Sequence, residues 1–363
     1  MNWILVDLFI VVYAILILAF IRIAPKKNIH EDYLSPESSM SLRGIMAVGI
    51  ILHHMSERIS SGYLFPQMQH AGYLFVSSFF FLSGFGLLRQ YEKRGDSYLK
   101  GFFRTRILYL LIVYVLDVLL YSFYDFVIGK PHTILEILQS IYSGGIAMNA
   151  WYMIVLIVFY LVFWAVFGLM KKCGTVTKIV MVFVFQILFI FLCILWRKNN
   201  IWYMSNLGFS LGMVWAFNQK KIDKFACDHY LKLFLSALIA FVFFSAMPLL
   251  LARVPFLSVY AKPIKIVCRI ISAPLSTALL IILLQKFSVK SALWSYLGGI
   301  SLEIYLLHGM VYSFFRSGIV YIENDALWIL LTILVSVAIS IPVSLLNKMI
   351  HRLTKKQLGV KKQ

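Results

Sequence analysis

The chain has 363 residues, 61% of them hydrophobic and 13% charged, with a mean hydropathy of +0.86 and a formal charge of +19. Soluble domains carry about 25% charged and about 45–50% apolar residues, so a compact water-soluble fold is excluded, as are a disordered chain and a disulfide-stapled one. The apolar runs are long and continuous rather than alternating, which disfavours a β-barrel and leaves an all-α, multi-pass transmembrane helical bundle.

A spanning helix needs about 20 mostly apolar residues, and that ruler predicts about eleven spans. They fall near 3–24, 41–60, 71–90, 105–128, 150–170, 177–196, 200–218, 231–252, 264–285, 294–315 and 327–348. The first is too long for the apolar core of a signal peptide and no small-residue cleavage site follows it, so it reads as a retained anchor. Residues 1–38 are thus an anchor span and linker, 39–350 a ten-span membrane domain, and 351–363 a basic tail. Between the fourth and fifth spans, Ile134, Leu135, Ile137, Leu138 and Ile141 predict a short amphipathic surface helix.

The basic residues lie mostly in short loops, which is the pattern of membrane orientation rather than of nucleic-acid binding. Alternate loops divide them unevenly. One side holds only Arg58, Lys130, Arg197, Lys198, Arg253, Lys262, Lys265, Arg269 and Arg316 of the 34 Lys and Arg residues. The richer side is expected to be the cytosol, with the N-terminus outside and the C-terminus inside. Cys173, Cys193, Cys227 and Cys268 show no metal or redox spacing and are read as free thiols.

Ionisable residues inside spans are costly and mark candidate sites. In the second span, Arg43 and His54 form an R-x10-H pair. Eleven steps of 100° end about 20° past three full turns, so the two share a helix face, with His54 about 16 Å deeper. Arg43 as a snorkelling anchor and His54 as a packing group is the plainer alternative. The third span carries Phe79-Phe80-x-x-Ser83-Gly84, where glycine permits close helix approach and Ser83 an interhelical hydrogen bond. Lys100, Arg104 and Arg106 precede the fourth span; such a cluster suits phosphate and equally suits a cytosolic loop. Asp117 sits mid-span, where it would orient a histidine or stay protonated. Trp151, Tyr152 and Tyr160 open the fifth span as an aromatic belt or, less simply, a pocket wall. In the tenth, Ser301, Tyr305 and His308 share one face, with Glu303 on another. His53, His54, His70 and His308 contain no i, i+4 pair, and no metal is expected.

Taken in order, Arg43-x10-His54, Phe79-Phe80-x-x-Ser83-Gly84, the arginines before the fourth span, the run AWYMIVLIVFY and Ser301-x3-Tyr305-x2-His308 resemble the acyltransferase 3 family of bacterial membrane-bound O-acyltransferases. The resemblance covers about Ser39 to Asn347. It implies an enzyme of the bacterial plasma membrane that moves an acyl group, usually acetyl, from cytosolic acetyl-CoA to a hydroxyl of a cell-surface or lipid-linked glycan. It implies Arg43 and His54 as the catalytic pair, with His54 a general base or an acyl carrier. Arg104, Arg106, Lys100 and Ser83 are then expected to hold the donor. Phe79, Phe80, Gly84, Asp117, Trp151, Tyr152, Ser301, Glu303, Tyr305 and His308 are expected to line or support the site. One departure concerns the family's common R-x-x-R: here Tyr109 stands three residues after Arg106, and the second arginine is Arg104. The rival reading is a transporter of a small polar molecule or lipid-linked sugar, against which stand the absent inverted repeat and the absent pair of broken helices.

Overall fold

The computed structural model describes residues 2–25, 27–251, 253 and 260–357. It is a helical bundle with one two-stranded ribbon among the described residues. In chain order the elements are α1 (Asn2–Leu18), β1 (Ile21–Ile23), α2 (Pro36–Ser56), α3 (Gly72–Arg94), α4 (Asp96–Lys100), α5 (Leu108–Val127), α6 (Ile134–Ser143) and α7 (Ala150–Leu169). They continue as α8 (Thr175–Leu195), α9 (Gly208–Leu251), α10 (Ala261–Lys286), β2 (Phe287–Val289), α11 (Ala292–Gly299), α12 (Ser301–Phe314) and α13 (Asp325–Gln357). The end of the predicted basic tail, 358–363, lies outside the described residues, and 351–357 continue α13.

Seven of the described helices are long and apolar enough to cross a membrane, against the eleven spans expected. The difference has physical causes. α1 is a shorter apolar helix. α9 runs through two expected spans, with non-helical geometry only at His229 (φ −137°, ψ 35°). α2 is diluted by serines, Glu37, Arg43 and its two histidines. The expected tenth span is broken at Ile300 (φ −123°, ψ 15°) into α11 and α12.

α2 is the central element, buried along most of its length against α3, α11, α12 and α13. Its start is set locally: Pro36 occupies the first helical turn and the Ser35 hydroxyl accepts from the Ser38 N–H at 3.2 Å. Small residues let the backbones close. A Cβ on Gly84 of α3 would lie 2.0 Å from the Phe209 carbonyl oxygen of α9, and one on Gly298 of α11 would lie 1.9 Å from that of Met40.

The first helix is part of this bundle rather than a loose anchor. Its Asp7 accepts from the backbone N–H groups of Tyr63, Leu64 and Phe65 at 2.8–2.9 Å. Its Tyr13 hydroxyl donates to the Ile45 carbonyl, and the Leu16 carbonyl accepts from the Trp294 indole. The linker beyond it pairs β1 antiparallel to β2, and Asp32 is bridged to Lys290. α6 carries the expected surface helix, opened by a Thr133–Glu136 capping box. Ile137 and Ile141 pack inward while Ile134, Leu135 and Leu138 are exposed.

Candidate active site

α2 carries Arg43 toward the end of the bundle rich in Lys and Arg and His54 toward the other. Three cavities lie in series along it. The first opens at the basic end, has a volume of about 650 Å³, and is lined by Arg43, Ser83, Arg89, Tyr98, Arg106 and Tyr160 together with the carboxylates Glu31 and Asp32. The second, about 140 Å³, is walled by Phe79, Tyr152, Ser301 and Tyr305. The third, about 270 Å³, contains His53, His54, Glu57, His70, Asn149, Trp151 and Arg269. Arg43, Ser83 and Tyr160 line both the first and the second, and Tyr305 lines both the second and the third.

His54 is half-buried, and its Nδ1 lies 3.0 Å from Glu57 Oε2. A carboxylate only accepts, so Nδ1 carries the proton and Nε2 is the basic nitrogen of the ring. The arrangement is a carboxylate–histidine dyad built from one helix end, three residues apart. The ring stacks on His308 (centroids 5.2 Å, interplanar 26°). His308 is fully buried on α12, its Nδ1 3.0 Å from the Ile304 carbonyl, so that nitrogen also donates and Nε2 is left as an acceptor. Asn149 supplies its Nδ2 at 3.5 Å. Asn149 does so from left-handed backbone (φ 62°) at the start of α7, a conformation that costs energy in a residue other than glycine and collects at functional sites.

The second cavity is an aromatic throat. Tyr152 and Tyr305 stand 4.8 Å apart, each about 6.5 Å from Phe79. Phe80 is fully buried behind Tyr152 and Phe159 and does not line it. Gly84 serves the contact of α3 with α9.

The cations at the basic end separate. Arg106 lines the first cavity, whereas Arg104 is exposed outside it and Lys100 lies in an apolar depression beside Trp164 and Lys171. Two residues on a helix differ by about 200°, so Arg104 and Arg106 face apart; here they sit on a π-helical turn, Phe103–Ile107, which leads into α5. Arg43 and Arg106 form no ion pair among the described residues, while Arg89 pairs with Glu92.

Asp117 lines none of the three cavities, and neither of its oxygens has a hydrogen-bond partner, histidine included, among the described residues. Orientation of a histidine falls to Glu57 instead. Glu303 is also turned away and accepts from Asn347 Nδ2 at 2.9 Å, tying α12 to α13. Glu57, Asn149 and Arg89 were not among the residues expected from sequence. Of these only Glu57 carried a local signal, its position three residues after His54.

No metal was expected, yet ligand atoms of His53, His54 and Glu57 lie within 4.8 Å of one another. His53 Nδ1 is 3.0 Å from the Met68 carbonyl, which leaves its Nε2 bare toward the cavity residue Glu57. The spacing suits a borderline divalent cation, and the same atoms suit the dyad alone.

A family model described as an acyltransferase domain matches residues 40–345, the greater part of the chain. No curated protein and no solved structure matches it.

Proposed function

Because the chain belongs to the acyltransferase 3 family, we propose that it is an O-acyltransferase that draws an acyl group, acetyl in the simplest case, from cytosolic acyl-CoA and delivers it to a hydroxyl on the far side of the membrane. The observation that carries this reading is the series of three cavities joined by shared residues, with cations at one end and a carboxylate–histidine dyad at the other. In this reading the first cavity, at the end richer in Lys and Arg, faces the cytosol.

In this reading Arg43, Arg89 and Arg106 hold the donor's phosphates, which guanidinium forks match, and Ser83 offers a hydroxyl at the passage to the throat. The uncharged pantetheine arm then enters between Phe79, Tyr152 and Tyr305. The acceptor hydroxyl approaches from the third cavity. His54 Nε2 takes its proton, the oxygen attacks the thioester carbonyl carbon, the C–S bond breaks, and the thiolate leaves to be protonated as free CoA. Glu57 holds His54 in the required tautomer and stabilises the imidazolium. Arg43 lines the first two cavities and not the one that holds His54. That placement favours a role in holding the donor over one at the reacting carbonyl. Trp151 offers a face on which a glycan acceptor stacks. The protein then works in a bacterial plasma membrane on an envelope glycan.

The test uses purified protein in proteoliposomes with radiolabelled acetyl-CoA and an extract of envelope glycans. Wild type is expected to release CoA and label the glycan fraction, while His54→Ala and Arg43→Ala do neither at equal protein level. Wild type that neither binds nor consumes acetyl-CoA would sink the reading, and uptake or flipping of a polar solute without acylation would put a transporter in its place.

A further inference from the structure

A fourth cavity lies at the His54 end and takes no part in the chemistry above. Its volume is about 550 Å³, and Arg58, Lys130 and Arg316 line it together with Tyr124, Tyr312 and Trp328. No carboxylate lines it. The three cations come from three separate loops, after α2, after α5 and after α12. That convergence runs against the general trend of the chain. The non-cytosolic side holds only nine of the 34 Lys and Arg residues, and a third of them meet in this one cavity. The positive-inside pattern gives no reason for cations here.

Their pairing shows which charge is spare. Arg316 is held by Asp325 at 2.5 Å and lies 3.6 Å over the Trp328 ring, so it is positioned and largely neutralised. Arg58 and Lys130 form no ion pair among the described residues. Arg58 is nonetheless held in place: its guanidinium sits 4.4 Å over the Tyr312 ring and donates to the Tyr312 hydroxyl at 3.2 Å. A fixed guanidinium with unpaired charge, a nearby ammonium, and the hydroxyls of Ser313, Ser317 and Tyr124 make a donor set for an oxyanion. The cavity also adjoins the dyad. Arg58 follows His54 by four residues, and a row of rings joins the two sites, Tyr312 to His308 at 6.1 Å and His308 to His54 at 5.2 Å.

We propose that this cavity is an anion site for a phosphate group of the acceptor, so that the enzyme acylates a phosphate-bearing glycan or glycolipid whose phosphate rests on Arg58 and Lys130 while a hydroxyl reaches His54. This rests on the acyl-transfer reading for its purpose but not for its test. The phosphate arrives either within the glycan or in a lipid headgroup, and the two sources offer the same chemistry to the site.

The experiment titrates full-length protein in phosphatidylcholine nanodiscs with inorganic phosphate by calorimetry, at ionic strength held constant with chloride. One phosphate per chain is expected to bind to wild type. Affinity should fall at least tenfold in the Arg58→Gln, Lys130→Gln double variant, survive in the charge-conserving Arg58→Lys, Lys130→Arg variant, and stay unchanged in Lys220→Gln, Lys221→Gln at the opposite end. The conservative variant and a thermal melt of each protein separate loss of the site from loss of the fold. Repeating the titration in nanodiscs containing phosphatidylglycerol assigns the source: lost phosphate binding marks a lipid headgroup as the occupant, and undiminished binding marks a phosphate borne by the glycan. Absence of binding to wild type, or equal binding by the double variant, overturns the proposal. Neither readout needs acyl transfer, so failure here and failure of the enzymatic reading are distinguishable.

Discussion

His54 owes its tautomer to a neighbour three residues away. Without Glu57 the ring would be free to hold its proton on either nitrogen, and only the Nδ1–H tautomer presents a basic Nε2. Glu57→Gln keeps the shape of the side chain but loses the negative charge that stabilises an imidazolium. Transfer is therefore expected to drop by roughly 10²-fold or more, in kcat rather than in the KM for acyl-CoA, because the change lies at the acceptor end; steady-state CoA release measures both. The two arginines before α5 give a second residue-level test. Arg106 lines the cationic cavity and Arg104 does not. Arg106→Ala should raise the KM for acyl-CoA about tenfold, the loss of one charge-assisted contact of about 1.5–3 kcal/mol, while Arg104→Ala should leave it within about twofold. Equal effects would show that the facing directions of the two side chains do not govern donor binding. Sequence made both arginines candidates, since residue type alone carries no facing direction.

At the scale of helices, the site depends on how closely backbones approach. Ser83 and Phe79 of α3 line the throat, and α3 is set by its contact with α9, where Gly84 meets the Phe209 carbonyl. Gly84→Leu would have to push the two helices apart. Overpacking of this kind costs about 1–3 kcal/mol or more, so the variant is expected to melt several degrees lower in detergent and to lose activity although Gly84 touches no cavity. The same substitution at Gly86, which meets nothing within 4 Å, should leave the melting temperature near wild type. The break at Ile300 belongs to this scale too. Hydropathy merges α11 with α12 because Gly298, Gly299 and Ile300 do not interrupt an apolar run, whereas the chain geometry does interrupt the helix. The converse holds in α9, where a polar stretch between two apolar runs remains helical on both sides of His229.

For the whole molecule, the polarity of the cavity series sets a direction. Arg43, Arg89 and Arg106 stand at one end and the dyad at the other, so donor and acceptor are expected to enter from opposite faces. In proteoliposomes of one orientation, membrane-impermeant acetyl-CoA should support CoA release only from the face that bears Arg106. Equal activity from both faces would mean that the three cavities do not form a one-way path for the donor. The first helix adds to this picture: Asp7, Tyr13 and Leu16 bind it to the loop after α2, to α2 itself and to α11. It is therefore a wall of the bundle rather than a tether.

Sequence by itself determined the class of the molecule. Apolar composition demands a helical membrane protein, because a backbone in lipid must satisfy its own hydrogen bonds. The R-x10-H spacing put Arg43 and His54 on one face of one helix, because helical geometry is local and periodic. The family was legible from an ordered set of short motifs along the chain. Only the tertiary structure decided which residues meet. It brought Glu57 to His54, His308 across from α12, Asn149 from the start of α7, and the three cations of the fourth cavity from three loops. It also turned Asp117, Glu303, Arg104 and Lys100 away from the cavity series. The reason is that periodicity fixes direction around a single helix axis, while contact between helices depends on crossings that close wherever small residues allow, and a hydropathy pattern does not encode those crossings.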